Sequence, residues 1–364
     1  MYVYVIMPIF IVLFGYLEKK NDLAIKKNYT NSVLPRTESR RNLFYIFLVL
    51  TFLIVGGFRY KVGTDYGAYY RLYQTDLTDL LLRFRTLDEP GIYLITFLCR
   101  LVWNEGLFVI FIENAIVTFL VFKGIKSYKL TNITVPLLMY IFYCGWTFSF
   151  NGVRQAIAMS IIFAFSKQDG KRWVIKYIAI VFMAFLFHKS ALFMFPILIL
   201  AHTEISFRQF ISIVIFTVLI PYLGEYAVQY MGLSITSADV YFTNDINPIR
   251  VIVAFVPLVL VIFLYIKKQN VFFQKNYFIV NMIIMNAILT YVTANSAYMN
   301  RFARFTSMYI MIFIPYFADR LTVRSRRIFN VVSIGLYFVM FLIEIQNSGN
   351  LIPFQWCFGH FGEY

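Results

Sequence analysis

Apolar residues in this chain come in long unbroken runs rather than in alternation with polar ones. The runs cover roughly 2–17, 43–58, 106–122, 132–149, 152–166, 173–187, 190–201, 209–223, 249–266, 277–293, 303–317 and 328–345. A hydrocarbon core about 30 Å thick takes about 20 residues of helix, and backbone groups in lipid must be satisfied within a helix or a closed barrel. Barrel strands are ~10-residue segments of alternating polarity, a pattern these runs lack. The expected fold is therefore all-α, a polytopic integral membrane protein with about 12 transmembrane helices. No polar stretch is long enough for a soluble domain, so residues 1–364 are expected to form one transmembrane domain. Within it the pattern predicts a basic cytoplasmic loop at 18–42 and outer loops at 59–105 and 224–248, with 91–103 as a short interfacial helix in the first outer loop.

Composition agrees with the pattern, with 60% hydrophobic and 20% aromatic residues. The net charge of +15 raises nucleic acid as a partner, but the arrangement of the cations turns that aside. Loops at 18–42, 123–131, 167–176, 202–208, 267–276 and 319–327 hold 22 of the 33 lysines and arginines. By the positive-inside rule these alternate loops are cytoplasmic. If 91–103 does not cross, the assignment closes with both termini outside. It then places Arg59, Asp65, Glu89, Arg154, His188, Arg301 and Arg304 together on the outer face. The first apolar run lacks a basic leader and a small-residue cleavage site, so it is expected to be a retained span. Cys99, Cys144 and Cys357 are too few and too scattered for a disulfide framework or a metal cluster, and read as packing residues.

An ionisable group beside lipid is costly to desolvate, which makes each of those outer residues a site candidate. Arg59 ends the second run, between Gly56-Gly57 and Gly63, glycines that let backbone approach a ligand. The loop it opens carries Asp65 and a dense set of tyrosines, Tyr60, Tyr66, Tyr69, Tyr70 and Tyr73, as a sugar-stacking surface would. Arg154, followed by Gln155, opens an apolar helix with no acid within a helical turn, so it needs a distant partner or an anionic ligand. His188-Lys189-Ser190 forms a tight turn between apolar runs, suited to a general base or a phosphate contact. Arg301 and Arg304, three residues apart, are expected on one helix face as an anion clamp. No acidic metal motif, Walker loop or dinucleotide turn occurs, so neither metal nor cofactor is expected.

The order Arg-x-x-x-Gly-x-Asp-Tyr from Arg59, Glu-Pro-Gly-x-Tyr from Glu89, Asn-Gly-x-Arg-Gln-Ala from Asn151, Phe-His-Lys-Ser-Ala from Phe187 and Arg-Phe-x-Arg-Phe from Arg301 resembles the EpsG family over about 43–310. That family is similar to Wzy-type polymerases of O-antigen, capsule and exopolysaccharide. The resemblance implies a membrane glycosyltransferase of GT-C-like architecture in a bacterial cytoplasmic membrane. It would move a growing glycan from undecaprenyl pyrophosphate onto a carrier-linked repeat unit at the outer (periplasmic or extracellular) face. Its implied partners are that lipid-linked oligosaccharide, membrane lipid, a chain-length regulator and a flippase. By the same match Arg59, Asp65, Arg154, His188 and Arg304 carry over as functional positions. The chemistry then assigns Asp65, Glu89, Arg154 and His188 to catalysis, with the general base open among Asp65, Glu89 and His188. Arg59, Tyr66, Gln155, Lys189, Arg301 and Arg304 are the expected substrate and pyrophosphate contacts. The competing classes are a lipid-linked oligosaccharide flippase or other transporter, a membrane acyltransferase centred on His188, and an O-antigen ligase.

Overall fold

The computed structural model describes residues 1–28, 36–85, 89–130, 132–167, 173–206, 245–296, 299–347 and 349–360, with 208, 209, 211 and 215 besides. In the first half of the chain, α1 (Tyr2–Asn28) and α2 (Arg36–Gly57) lead to three shorter helices, α3 (Tyr66–Gln74), α4 (Leu77–Arg85) and α5 (Pro90–Val102). Then come α6 (Gly106–Ser127), α7 (Thr134–Phe142), α8 (Gly145–Asn151) and α9 (Val153–Phe165). The second half holds α10 (Trp173–Phe185), a 3-10 turn (Lys189–Phe193) running into α11 (Met194–Ala201), α12 (Pro248–Ile266), α13 (Asn270–Val292), α14 (Arg301–Ser307), α15 (Ile310–Ala318) and α16 (Val323–Asn347). Among the described residues there is no strand, and an isolated backbone bridge joins Arg59 to Trp356.

Among the described residues three helices are long and apolar enough to cross a membrane, α6, α12 and residues 323–346 of α16. Of these, α6 has 61% of its apolar window buried against 33% for each of the other two, so it is the central post. Its apolar residues surround the axis rather than forming a stripe, as burial on all sides requires. It packs chiefly on α2 and α9. Where α2 meets it, a Cβ on Gly56 would stand 2.1 Å from the Asn114 side-chain oxygen. That glycine therefore serves helix packing, not the approach of a ligand.

Several expected elements are divided or extended. The run 132–149 is two helices, because Cys144 adopts a left-handed conformation (φ 60°) while its amide donates a hydrogen bond to the Ile141 carbonyl at 3.0 Å. The break turns Trp146 and Phe150 into the core. No charged residue marks it in the sequence. The run 303–317 likewise divides at Met308 and Tyr309. Helices α1 and α2 continue into the basic segment 18–42, and the segment 59–105, expected as an outer loop with one helix, carries three. The expected span 209–223 and outer loop 224–248 lie almost wholly outside the described residues.

Past α16 the chain returns across the end of the bundle. The Tyr60 amide donates to the Gln355 carbonyl (2.9 Å), Cys357 to Phe58 (2.9 Å) and Gly63 to Asn350 (2.8 Å). Tyr4 donates its hydroxyl to the Leu351 carbonyl at 2.8 Å, and the Tyr60 ring stacks on His360 at 4.1 Å. The three cysteines are free and buried.

Residue 350 reaches the Arg59 loop, whereas Ser325 lies at the other end of α16, about 1.5 Å per residue away along the helix. Thr64 and Ser325 are both exposed, and the native cysteines are buried. A membrane-impermeant maleimide should therefore label Thr64→Cys in intact cells and Ser325→Cys only after permeabilisation. Labelling of both in intact cells would refute a bundle that crosses the membrane between them.

Candidate functional site

The loop that follows α2 is fixed from two sides. The C-terminal return pins it at Tyr60 and Gly63, and the Thr64 amide donates to the Asn151 side-chain oxygen at 2.8 Å. Gly63 has a positive φ of 101°, and a Cβ there would stand 2.3 Å from the Phe150 carbonyl oxygen, so this closure needs glycine. Asp65 then precedes α3 without capping it by its side chain, and its carboxylate accepts from the Thr64 hydroxyl at 3.4 Å within the fields of Arg301 and Arg154. Helix α3 also delivers Tyr69, whose hydroxyl accepts from the Arg154 amide at 3.4 Å.

Glu89 sits just before α5 in a left-handed conformation (φ 54°), with Pro90 fixing the first helical position. The Gly91 amide donates to the Leu186 carbonyl at 2.8 Å, which clamps the start of α5 to the turn after α10. The Glu89 carboxylate thereby reaches three donors. Its Oε2 accepts from Arg154 Nη1 at 2.5 Å, and its Oε1 meets His188 Nδ1 at 2.6 Å and the Lys189 amide at 3.1 Å. Its side chain is 7% exposed, against 43% for Arg154 and 21% for His188. The carboxylate is the buried anchor, and the cation and the imidazole reach outward from it.

Burial pushes the Glu89 carboxyl upward, but the hydrogen bonds from His188 and Lys189 and the charges of His188 and Arg154 outweigh it and hold the group below its ordinary 4.5. Asp65 goes the other way. Burial raises it above 3.8, and Arg301, Thr64 and Arg154 only partly offset that. The two acids are thus set apart, one held as an anion and one made more basic.

The expected residues divide into groups. Glu89, Arg154, His188 and Lys189 meet, Asp65 lies within the field of Arg154, and Gln155 ties α14 to them by donating to the Arg301 carbonyl at 2.7 Å. Arg301 joins them through its charge on Asp65. Arg304 does not share that face. Its guanidinium lies 5.1 Å over the Phe148 ring, where its charged neighbours are Arg250 and Glu344. Arg59 is 2% exposed, donates to the Gly56 carbonyl at 2.5 Å and lies 4.5 Å over the Phe150 ring. Its nearest opposing charge is Glu113, buried within α6. Tyr66 packs inward with Tyr60, Tyr70 and Cys357, so these tyrosines form a small core and not an open stacking surface.

Three ionisable residues were missed by sequence reasoning. Glu113 stands inside the central apolar run, and Arg250 and Glu344, in α12 and α16, form a two-point ion pair. Each was visible as a lone charge inside or at the edge of a hydrophobic run, the signal that marked the others. Among the described residues no group of three or more His, Cys, Asp or Glu stands where it would hold a metal ion.

The model of the EpsG family matches residues 42–356. No curated protein and no solved structure matches the chain.

The sign of the Glu89 shift fixes a pH dependence. A carboxyl whose folded pKa lies below its unfolded value adds stability above about 4.5, and that stability is lost as pH falls through the lower folded value. Thermal unfolding of wild type against Glu89→Gln should show a difference that is full near neutral pH and shrinks below about pH 4.5. The neutral-pH difference is expected at about 1–3 kcal/mol, less than for a fully buried pair because Arg154 is half exposed. A difference that does not change with pH would show that the ionised carboxylate is not what holds the three segments.

Proposed function

The chain belongs to the EpsG family, and on that premise we propose that it is a Wzy-type polysaccharide polymerase with Glu89, Arg154 and His188 at its centre. The family and the membrane-span helices support a membrane protein of exopolysaccharide biosynthesis. Our finer reading is a GT-C-like glycosyltransferase of about 12 spans in a bacterial cytoplasmic membrane, with its site on the outer face. The observation that carries it is the double grip of one buried carboxylate on a guanidinium and an imidazole.

The reaction moves a glycan from undecaprenyl pyrophosphate to a hydroxyl of a carrier-linked repeat unit. The attacking oxygen forms a bond to the anomeric carbon, the bond from that carbon to the diphosphate oxygen breaks, and its electron pair leaves with the diphosphate. The hydroxyl proton must be taken up as this happens. With Nδ1 of His188 on Glu89, Nε2 is the ring nitrogen left to accept it, and the carboxylate steadies the imidazolium that results. Glu89, held as an anion by three donors, is thus a positioning residue rather than the base. Asp65, made more basic by burial, is the second candidate base. Arg154, Arg301 and Lys189 supply the positive charge that a departing diphosphate requires. Gln155, through the Arg301 carbonyl, fixes where α14 presents that charge. Both lipid-linked substrates lie in one leaflet, which gives the encounter its proximity. A flippase and a chain-length regulator are the partners this role requires.

In a reconstituted assay with carrier-linked repeat units, His188→Gln should lower turnover by ~10²- to 10⁴-fold with donor KM near wild type. Arg154→Lys should lose most polymerisation, because an ammonium cannot reproduce the planar two-point contact of guanidinium. Full-length chains from His188→Gln together with loss in Asp65→Asn would move the base to Asp65. Glycan analysis of a deletion strain tests the class itself. A single repeat unit on the surface anchor fits a polymerase, whereas no glycan, full-length chains without an acyl group, or polymer left on its carrier would point to a flippase, an acyltransferase or a ligase.

A further inference from the structure

A polar cavity lies at the end of the bundle away from Glu89. Arg154 opens α9 and Lys167 follows its last turn, so about 20 Å of helix separates the two ends. There the structure leaves a cleft of about 120 Å³, lined in part by Tyr128, Ser166, His202, Tyr316, Lys167 and Lys275. One water needs only about 10–15 Å³ of such space, so the cleft has room for a hydrated phosphate group.

Its walls are held in place by their own bonds. Tyr316 donates to the Tyr128 carbonyl at 2.8 Å, and the Tyr128 and Ser166 hydroxyls lie 3.3 Å apart. At Asn276 the backbone of α13 leaves helical geometry (φ −130°, ψ 17°), with no proline or glycine there to cause it, and the break faces the cleft. The charges are unbalanced. Lys167 donates only to the Ser127 carbonyl, at 3.2 Å, and lies 5.4 Å from the Tyr128 ring, and Lys275 makes no hydrogen bond or ion pair among the described residues. No acid lines the cleft. The acid that acts on its wall, Asp319 beside Tyr316, is already bridged to Arg326 at 3.3 Å.

We propose that this cleft binds a phosphate group, with Lys167 and Lys275 supplying charge and the Asn276 side-chain amide, which spends one of its two hydrogens on the Phe272 carbonyl, supplying a hydrogen bond. The phosphodiester of an anionic phospholipid and free inorganic phosphate share that chemistry. Basic pockets between helices at a membrane surface are suited to the first. The site is independent of the transfer reaction at the other end of the molecule.

The test uses the full chain in nanodiscs of phosphatidylcholine, with and without phosphatidylglycerol, and phosphatidylcholine discs with added inorganic phosphate. Native mass spectrometry counts retained phosphatidylglycerol, and thermal unfolding reads the response to each ligand. Wild type should retain the anionic lipid and unfold at a higher temperature with it. Lys167→Gln/Lys275→Gln should retain at least about fivefold less, the double arginine variant should behave as wild type, and Lys176→Gln, an exposed lysine outside the cleft, should change nothing. A response to inorganic phosphate alone, lost in the double glutamine variant, supports the site and names the free ion as its ligand. Should the double variant not fold, Lys275→Gln, which removes no contact within the protein, carries the comparison. The proposal is overturned if wild type responds to neither ligand, or if a folded glutamine variant responds as wild type does.

Discussion

The candidate site depends on one carboxylate in a place where water cannot serve it. Glu89 is nearly buried, and its backbone is in a left-handed conformation that a residue with a side chain adopts at a cost of about 1–3 kcal/mol. Three donors from two other segments offset both penalties at once. The start of α5, the start of α9 and the turn after α10 cannot move apart without leaving a charge buried and unpaired. Arg154 and His188, the more exposed partners, are therefore held by a group that itself stays buried.

Much of the architecture was legible in the sequence because lipid imposes a simple rule on chain composition. The runs at 106–122, 249–266 and 328–345 became α6, α12 and α16, the helices long and apolar enough to span. What composition did not show was continuity, since the chain breaks at Cys144 with no charged residue to announce it, and at Met308–Tyr309 with only Thr306 and Ser307 before the junction. At the site, Glu89, Arg154 and His188 stood out as ionisable groups at run ends, but their pairing spans 65 and 99 residues of sequence. A sequence read locally sees each without its partner, so for Arg154 it left a distant partner and an anionic ligand both open, and Glu89 is the distant partner. Arg59 shows the reverse. Its position at a run end marked it for the surface, whereas Phe150, Gly56 and Glu113 enclose it.

Arg301 and Arg304 show how little separation a helix needs to divide labour. Three residues put side chains on neighbouring but distinct sectors, since a helix turns through 3.6 residues. Arg301 acts on Asp65 and Arg304 faces the Arg250–Glu344 pair. Two like charges that would repel as a clamp are each given a separate environment.

The return of residues 349–360 across the bundle end bears on biogenesis. The strand-like bridge from Trp356 to Arg59, and the bonds from Gly63 and Tyr60 to Asn350 and Gln355, join the loop before Asp65 to a segment the ribosome makes almost 300 residues later. Helices can insert one by one as they emerge, but this loop cannot be pinned until residues 349–360 have been made. Arg154, His188 and Glu89 are therefore all in the chain well before the contacts that hold the backbone beside Asp65 can form. The candidate site is completed from a distance in sequence that no local folding step can bridge.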